Sequence, residues 1–300
     1  KTIDYVESLT VLLADGSVVV LDDSAPEEVD TLHGRCHQAV VNLAAEHSAE
    51  IDLRYPKVLR RVGGYNLDEF TPGHQRPHNL SRIIVGSEGT LALVLEATLR
   101  LVPIPARRCL LSIQFDDLLE ALGAVPLILE HDPSAVELVD RMILAHTVGK
   151  PEFEPLRWFI NGDPAGVLLV EMQGDGTDDL NERLRRLEDD LRTRGLGSHF
   201  FRTDSSEEQG RIWKLRKAAL GLSMARPGDA KAVAFVEDTA VAPHRLRDYI
   251  GKFREILVSD CGPLRRISYF QMIPHSDHNC LAPNTGELKQ CFWKSHSPCF

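Results

Sequence analysis

Apolar residues alternate or cluster on both sides of Asp15-Gly16, which predicts a β-hairpin over residues 6–21, since that pair tolerates the positive φ of a tight turn. The rhythm then lengthens. Val29, Leu32, Cys36, Val40 and Leu43 recur at helical spacing up to Glu46, and Ser24 with Pro26 and Glu27 reads as the capping start of that helix. Residues 54–80 lose periodicity and are rich in Gly, Pro, Asn and Arg, yet keep interspersed large apolar residues. They read as a long functional loop rather than a linker. Order returns with a short strand at 83–85, a glycine-bounded turn at 86–90 and a strand-rich stretch at 91–101, which Pro103 and Pro105 end.

Beyond those prolines the pattern becomes strand, helix, strand. Strands are expected at 110–115, at 166–172 and, more weakly because of Pro126, at 125–130. A helix carrying Val136, Val139 and Ile143 is expected after a cap at Asp132 or Ser134. The next helix starts at Thr177, places Leu180, Leu184, Leu187 and Leu191 on one stripe, and stops near Gly195. A helix over 207–224, a strand over 233–237 and a helix over 243–257 follow, after which four prolines interrupt a segment without a period. The alternation implies an α+β chain, its second part an antiparallel sheet with helices on one face. The expected organisation is one domain over 1–105, a second over 106–258 and an atypical, poorly ordered tail over 259–300.

Composition narrows the function classes. A net charge of −10 with 43% hydrophobic residues describes an ordinary globular chain and argues against nucleic acid as the main partner. No apolar run approaches the roughly 20 residues that span a bilayer. Cys36 and Cys109 read as buried small hydrophobes, and six cysteines are too few for a disulfide scaffold at this length. His275, His278, Cys280, Cys291, His296 and Cys299 lack the paired spacing of a zinc or iron–sulfur site, so no metal is expected there. No nucleophile elbow of the G-x-S-x-G type is present.

Three groups of residues remain as chemistry. Gly86, Ser87, Glu88, Gly89 and Thr90 form a turn through which backbone amides and a hydroxyl can approach a ligand, with a purely structural turn as the alternative. Arg60, Arg61, Gly63, Gly64, Tyr65 and Asn66 put cations beside a flexible Gly-Gly, suited either to an anionic cofactor or substrate or to surface ion pairs. Arg216 follows Trp213 by three positions at the edge of an apolar helix face. Such an arginine either grips a carboxylate through its fork or snorkels to solvent.

The strings DYVESLTVLLADGS, RYPKVLRRVGGYNLDEF and NLSRIIVGSEGTLALVLEATLRLVPIP resemble the second half of the FAD-binding domain of vanillyl-alcohol-oxidase-type (PCMH-type) flavoproteins, so that residues 1–105 would be the C-terminal part of that domain. PSAVELVDRMIL, GVLLVEMQGD and RIWKLRKAAL continue the resemblance into the cap, on the branch with D-lactate and D-2-hydroxyglutarate dehydrogenases and glycolate oxidase subunits. The style is similar to bacterial proteins that fuse this flavin module to an iron–sulfur module. The resemblance implies FAD as cofactor, held at Gly86, Ser87, Glu88, Gly89 and Thr90. It implies a small 2-hydroxy acid as substrate, with its carboxylate on Arg216 and Lys231 as a second cationic contact. It also implies a base that takes the hydroxyl proton, and hydride transfer from C2 to the flavin. A quinone, an electron-transfer protein or an iron–sulfur module would then accept the electrons. The protein would be cytoplasmic, with peripheral attachment to the inner membrane left open. Relatives carry a glycine-rich subdomain before the segment matching Lys1-Thr2 and a GHxGxGNLH-like motif after the segment matching 249–257. Neither is in this sequence, so the expectation is an incomplete enzyme, or alternatively an inactive product or a non-catalytic subunit.

Overall fold

A computed structural model describes residues 1–58, 61, 64–218, 221 and 239–260. The chain divides into two compact units, Lys1–Pro103 and Ile104–Phe300. Residues 219, 220 and 222–224 of the helix expected over 207–224, the strand expected over 233–237, Lys231 and nearly all of the expected tail lie outside the described residues.

In the first unit, β1 (Val6–Leu12) is the centre of a three-stranded antiparallel sheet. It is flanked by β2 (Val18–Leu21) and β3 (Leu93–Leu99). The expected hairpin forms: Gly16 sits at φ +85°, and Asp15 Oδ1 accepts from the Ser17 amide at 3.0 Å. One sheet face turns Leu9, Val11 and Leu21 into a core with Ala44, Ile51, Phe70, Leu80 and Ile83. Two helices, α1 (Leu32–Glu46) and α2 (Ser48–Arg54), cover that face.

The start and inner face of α1 differ from the sequence expectation. Thr31, not Ser24, is the cap, its side chain accepting from the Gly34 amide at 3.1 Å, whereas the Ser24 amide donates to Asp22. Inward positions are Gly34, His37, Val41 and Ala44, while Val29, Cys36 and Leu43 are exposed. Small residues and a histidine that bonds the His78 carbonyl at 2.9 Å lie on the inward side, and of the expected stripe Leu32 and Val40 stay half-buried, Val40 against the core. A second correction falls on the expected strand at 83–85. Residues Ser81–Ile84 form a single helical turn, α3, because Asn79 Oδ1 accepts from the Ser81 amide at 2.8 Å and starts it.

The second unit is built on a four-stranded antiparallel sheet in the order β5-β6-β4-β7. Its strands are β4 (Arg107–Phe115), β5 (Ala135–Asp140), β6 (Gly166–Gly174) and β7 (His199–Thr203). Cys109, Leu111, Ile113, Phe115, Val136, Leu138, Leu168, Val170 and Met172 face one side. There they meet α4 (Leu118–Glu130), α6 (Thr177–Thr193) and α8 (Leu246–Asp260). The leucine stripe of α6 is fully buried, each residue contributing about 1.5–3 kcal/mol. The opposite sheet face is covered by two shorter helices, α5 (Arg141–Ala145) and α7 (Ser206–Lys217), with a 3-10 turn at Glu154–Leu156.

Two sequence expectations are overturned here. The stretch holding Pro126 is helix, not strand: Leu118, Ala121, Leu122, Val125 and Ile128 keep a helical period, and Asp117 caps the start. The segment expected to be a helix over Val136 and Val139 is β5, buried on both faces, and Asp140 caps the short α5 that follows it. A six-residue run buried on both faces carries no period that separates strand from helix. Among the described residues no helix is long and apolar enough to cross a membrane.

Candidate functional site

The first unit presents the 86–90 turn directly after α3. Gly86, Glu88 and Gly89 adopt φ of +87°, +53° and +73°, so the turn needs left-handed backbone at three of its five positions. A Cβ built on Gly89 meets nothing within 4 Å, so backbone conformation and not crowding makes glycine the fitting residue there. The Ser87 amide bonds the Ile84 carbonyl at 3.0 Å and the Thr90 amide bonds the Ser87 carbonyl at 3.0 Å, closing the turn. The amides of Glu88 and Gly89 take no part in those closing bonds.

The two hydroxyls of the turn have opposite situations. Thr90 Oγ1 donates to the Ser87 carbonyl at 2.6 Å and therefore accepts from the Tyr65 hydroxyl, 2.8 Å away. Ser87 Oγ is buried and has no hydrogen-bond partner among the described residues. A buried hydroxyl in that state costs about 1–3 kcal/mol, which a polar ligand atom would offset. Positive-φ backbone, open space at Gly89 and an unpartnered serine fit the polar part of a cofactor.

Asn66 and Arg61 stand behind this turn. Asn66 Nδ2 donates to the carbonyls of Arg82 at 3.0 Å and Val85 at 2.9 Å, and its Oδ1 accepts from Arg61 Nη2 at 2.6 Å. Arg61 also donates to both Asp68 carboxylate oxygens at 2.7 Å and lies 4.5 Å over the Tyr55 ring. Hydrogen bonding to the Asp68 carboxylate raises the Arg61 pKa above its ordinary value. Its fork is therefore turned to groups of its own loop. Arg60 and Gly63 lie outside the described residues, and Gly64 takes φ +77°.

In the second unit, Ser205 caps α7, and Gln209, Ile212 and Leu215 seat the helix on the sheet. The helix thereby brings Arg216 over β5. Arg216 Nε and Nη2 both donate to Glu137 Oε2, at 3.0 and 2.6 Å, with side chains only 16% and 8% exposed. At that burial the guanidinium is held inside the unit rather than extended into solvent. The same face carries Glu171, which accepts from Trp213 Nε1 at 3.2 Å and from Gln173 Nε2 at 2.6 Å. Ser112, in register with Leu169 and through it with Glu137, is fully buried and its Oγ has no partner among the described residues.

Sequence reasoning passed over Glu137, Glu171 and Ser112. The available signal was a carboxylate at an alternating position inside an apolar run, AVELVD and VLLVEM, because a buried charge requires a partner. Asn66 was noticed only as part of a loop, and its bonds span 16 to 19 residues. Among the described residues no group of three or more His, Cys, Asp or Glu is placed to hold a metal ion.

Residues 104–286 match the family model described as FAD linked oxidases, C-terminal domain. The chain is 32% identical over 277 residues to a D-2-hydroxyglutarate dehydrogenase of Pantoea ananatis, a match covering 86% of this chain and 27% of that protein. It is 30% identical over 276 residues to a D-2-hydroxyglutarate dehydrogenase of Escherichia coli, with the same two shares. The chain thus spans 27% of the length of these relatives. Among solved structures, an alkyldihydroxyacetonephosphate synthase matches 86% of this chain and 42% of its own at 14% identity, with a TM-score of 0.46.

Proposed function

The chain belongs to the family of FAD linked oxidases, and on that premise we propose that it serves the flavin-dependent oxidation of a 2-hydroxy acid to the 2-oxo acid. The observation that carries this reading is the match of 86% of the chain to D-2-hydroxyglutarate dehydrogenases. FAD, when bound, supplies the acceptor for the hydride that leaves C2 of the substrate. The 86–90 turn holds the cofactor, its positive-φ backbone giving close approach and Ser87 Oγ finding there the partner it otherwise lacks. Arg216 takes the substrate carboxylate. Glu137 holds the guanidinium through its Nε edge, and a fork set in this way binds a carboxylate with little loss of side-chain entropy. Lys231 serves as a second cationic contact. The electrons pass on to a quinone, an electron-transfer protein or an iron–sulfur module.

The test is a visible spectrum of the purified chain after incubation with FAD. Stoichiometric absorbance near about 370 and 450 nm, as for any bound flavin, is the expected result, and a chain that stays colourless would overturn the reading. With D-2-hydroxyglutarate or D-lactate and an artificial electron acceptor, Arg216→Ala is expected to lower kcat/KM by roughly 100-fold, the scale of one charged hydrogen-bond pair. An unchanged kcat/KM would remove Arg216 from the substrate site.

A further inference from the structure

Two adjacent residues of the 54–80 loop grip the 86–90 turn at both ends. At the Gly86 end, Asn66 Nδ2 donates to the carbonyls of Arg82 and Val85. These belong to the last turn of α3 and to its cap, whose carbonyls a helix this short cannot satisfy internally. At the Thr90 end, the Tyr65 hydroxyl donates to Thr90 Oγ1, which in turn donates to the Ser87 carbonyl. The grip is itself anchored. The Tyr55 hydroxyl donates to the Tyr65 carbonyl at 2.9 Å, and Arg61 fills Asn66 Oδ1 while Asp68 and the Tyr55 ring hold Arg61.

Chemistry allows one orientation of the Asn66 amide. Its nitrogen must face two carbonyls and its oxygen must face a guanidinium. An aspartate is nearly the same shape and would keep the arginine, but it would turn a carboxylate oxygen toward two carbonyl oxygens. The position therefore calls for an amide and not merely for a small polar side chain. A Cβ placed on Gly86 would lie 3.7 Å from Asn66 Nδ2, so the brace passes directly along the start of the turn.

We infer that Tyr65 and Asn66 are positioning residues for flavin binding: they set the left-handed conformation of the 86–90 turn, and through it the presentation of the Ser87 hydroxyl. The inference rests on the reading of that turn as a flavin contact, and it changes what the arginine-rich loop does. Arg61, paired with Asp68, acts at one remove by orienting the Asn66 amide, instead of meeting an anionic cofactor or substrate.

The experiment is a double-mutant cycle on the full chain, titrated with FAD and read by quenching of flavin fluorescence. Asn66→Asp is expected to weaken FAD about tenfold in the wild-type background and less than twofold in the Ser87→Ala background, because its effect passes through Ser87. A general loss of fold would weaken both backgrounds equally, and that result would overturn the inference, as would an unchanged affinity in both. Tyr65→Phe, which removes one hydroxyl, is expected to give a smaller loss with the same dependence on Ser87. Amide hydrogen exchange of residues 87–90 separates the inference from the functional reading beneath it. If the wild-type chain takes up no FAD, the functional reading fails, and the brace then stands or falls on exchange alone. Faster exchange confined to this turn in Asn66→Asp supports it, and unchanged exchange refutes it.

Discussion

Two serines with unpartnered hydroxyls mark the residue scale. Ser87 and Ser112 are buried at 3% and 0% exposure, and neither Oγ finds a hydrogen-bond partner among the described residues. An alanine at either place removes an unmet polar group without opening a cavity, so Ser87→Ala and Ser112→Ala are each expected to raise stability by about 1 kcal/mol. A urea midpoint measured against the unaltered chain checks this, and a loss of stability in both would show that the hydroxyls are satisfied in solution. Ser87→Ala should gain that stability while weakening FAD, the usual opposition between a site's polarity and the stability of its fold. The glycine-bounded turn was readable in the sequence because only glycine adopts its backbone cheaply. The state of the Thr90 hydroxyl was not, since it depends on Tyr65, which lies 25 residues away.

At the scale of elements, α6 shows what a strong local pattern achieves. Its leucines fill one stripe, and the opposite side carries exposed ion pairs such as Arg185 with Glu182 and Asp189. Hydrogen bonds from Arg185 and Arg186 lower the Glu182 pKa from 4.5 to about 2. A carboxylate depressed in the folded state contributes stability above its unfolded pKa and loses it as pH falls through the folded value. The contribution of Glu182 should therefore decline between about pH 4.5 and 2. The pair is fully exposed, so high salt should flatten the effect. Thermal midpoints across that range are expected to fall less steeply for Glu182→Gln than for the unaltered chain at low ionic strength. Identical slopes would show that the pairing adds nothing to the helix. The elements misread from the sequence lack such a pattern. In α4 the apolar run 125–130 reads as a strand, only weakened by Pro126, although it sits within a helical period, and β5 is too short and too uniformly buried to show any period. For α3, one asparagine contact decided the outcome.

At the scale of the whole molecule, the core around Phe70 shares no residue, among the described residues, with the two cores on either side of the second sheet. Phe70 is 1% exposed, and Phe70→Ala should cost about 3–5 kcal/mol, a large part of a domain's stability. Hydrogen exchange is expected to quicken in β1 and β3 while β4 and β6 keep their protection. Equal loss in both sheets would make them one cooperative unit. The net charge of −10 belongs to this scale too, and it sets the solution behaviour of the chain rather than the position of any side chain.

The amino-acid sequence by itself determined the α+β class, the hairpin, the leucine helix, the two long strands β4 and β6, and the resemblance to FAD linked oxidases. Each is written in residues close together in the chain, where period, turn chemistry and motif are local quantities. Only the tertiary structure decided that α1 turns Cys36 outward, that Arg216 lies against Glu137, and that Arg61 braces a turn through Asn66. The Arg216 and Asn66 pairings join residues 79 and 16 to 19 positions apart, and His37, on the inward side of α1, meets the His78 carbonyl 41 positions on. A charged or amide side chain takes its role from the partner that burial forces on it, and that partner is chosen by the packing of distant segments.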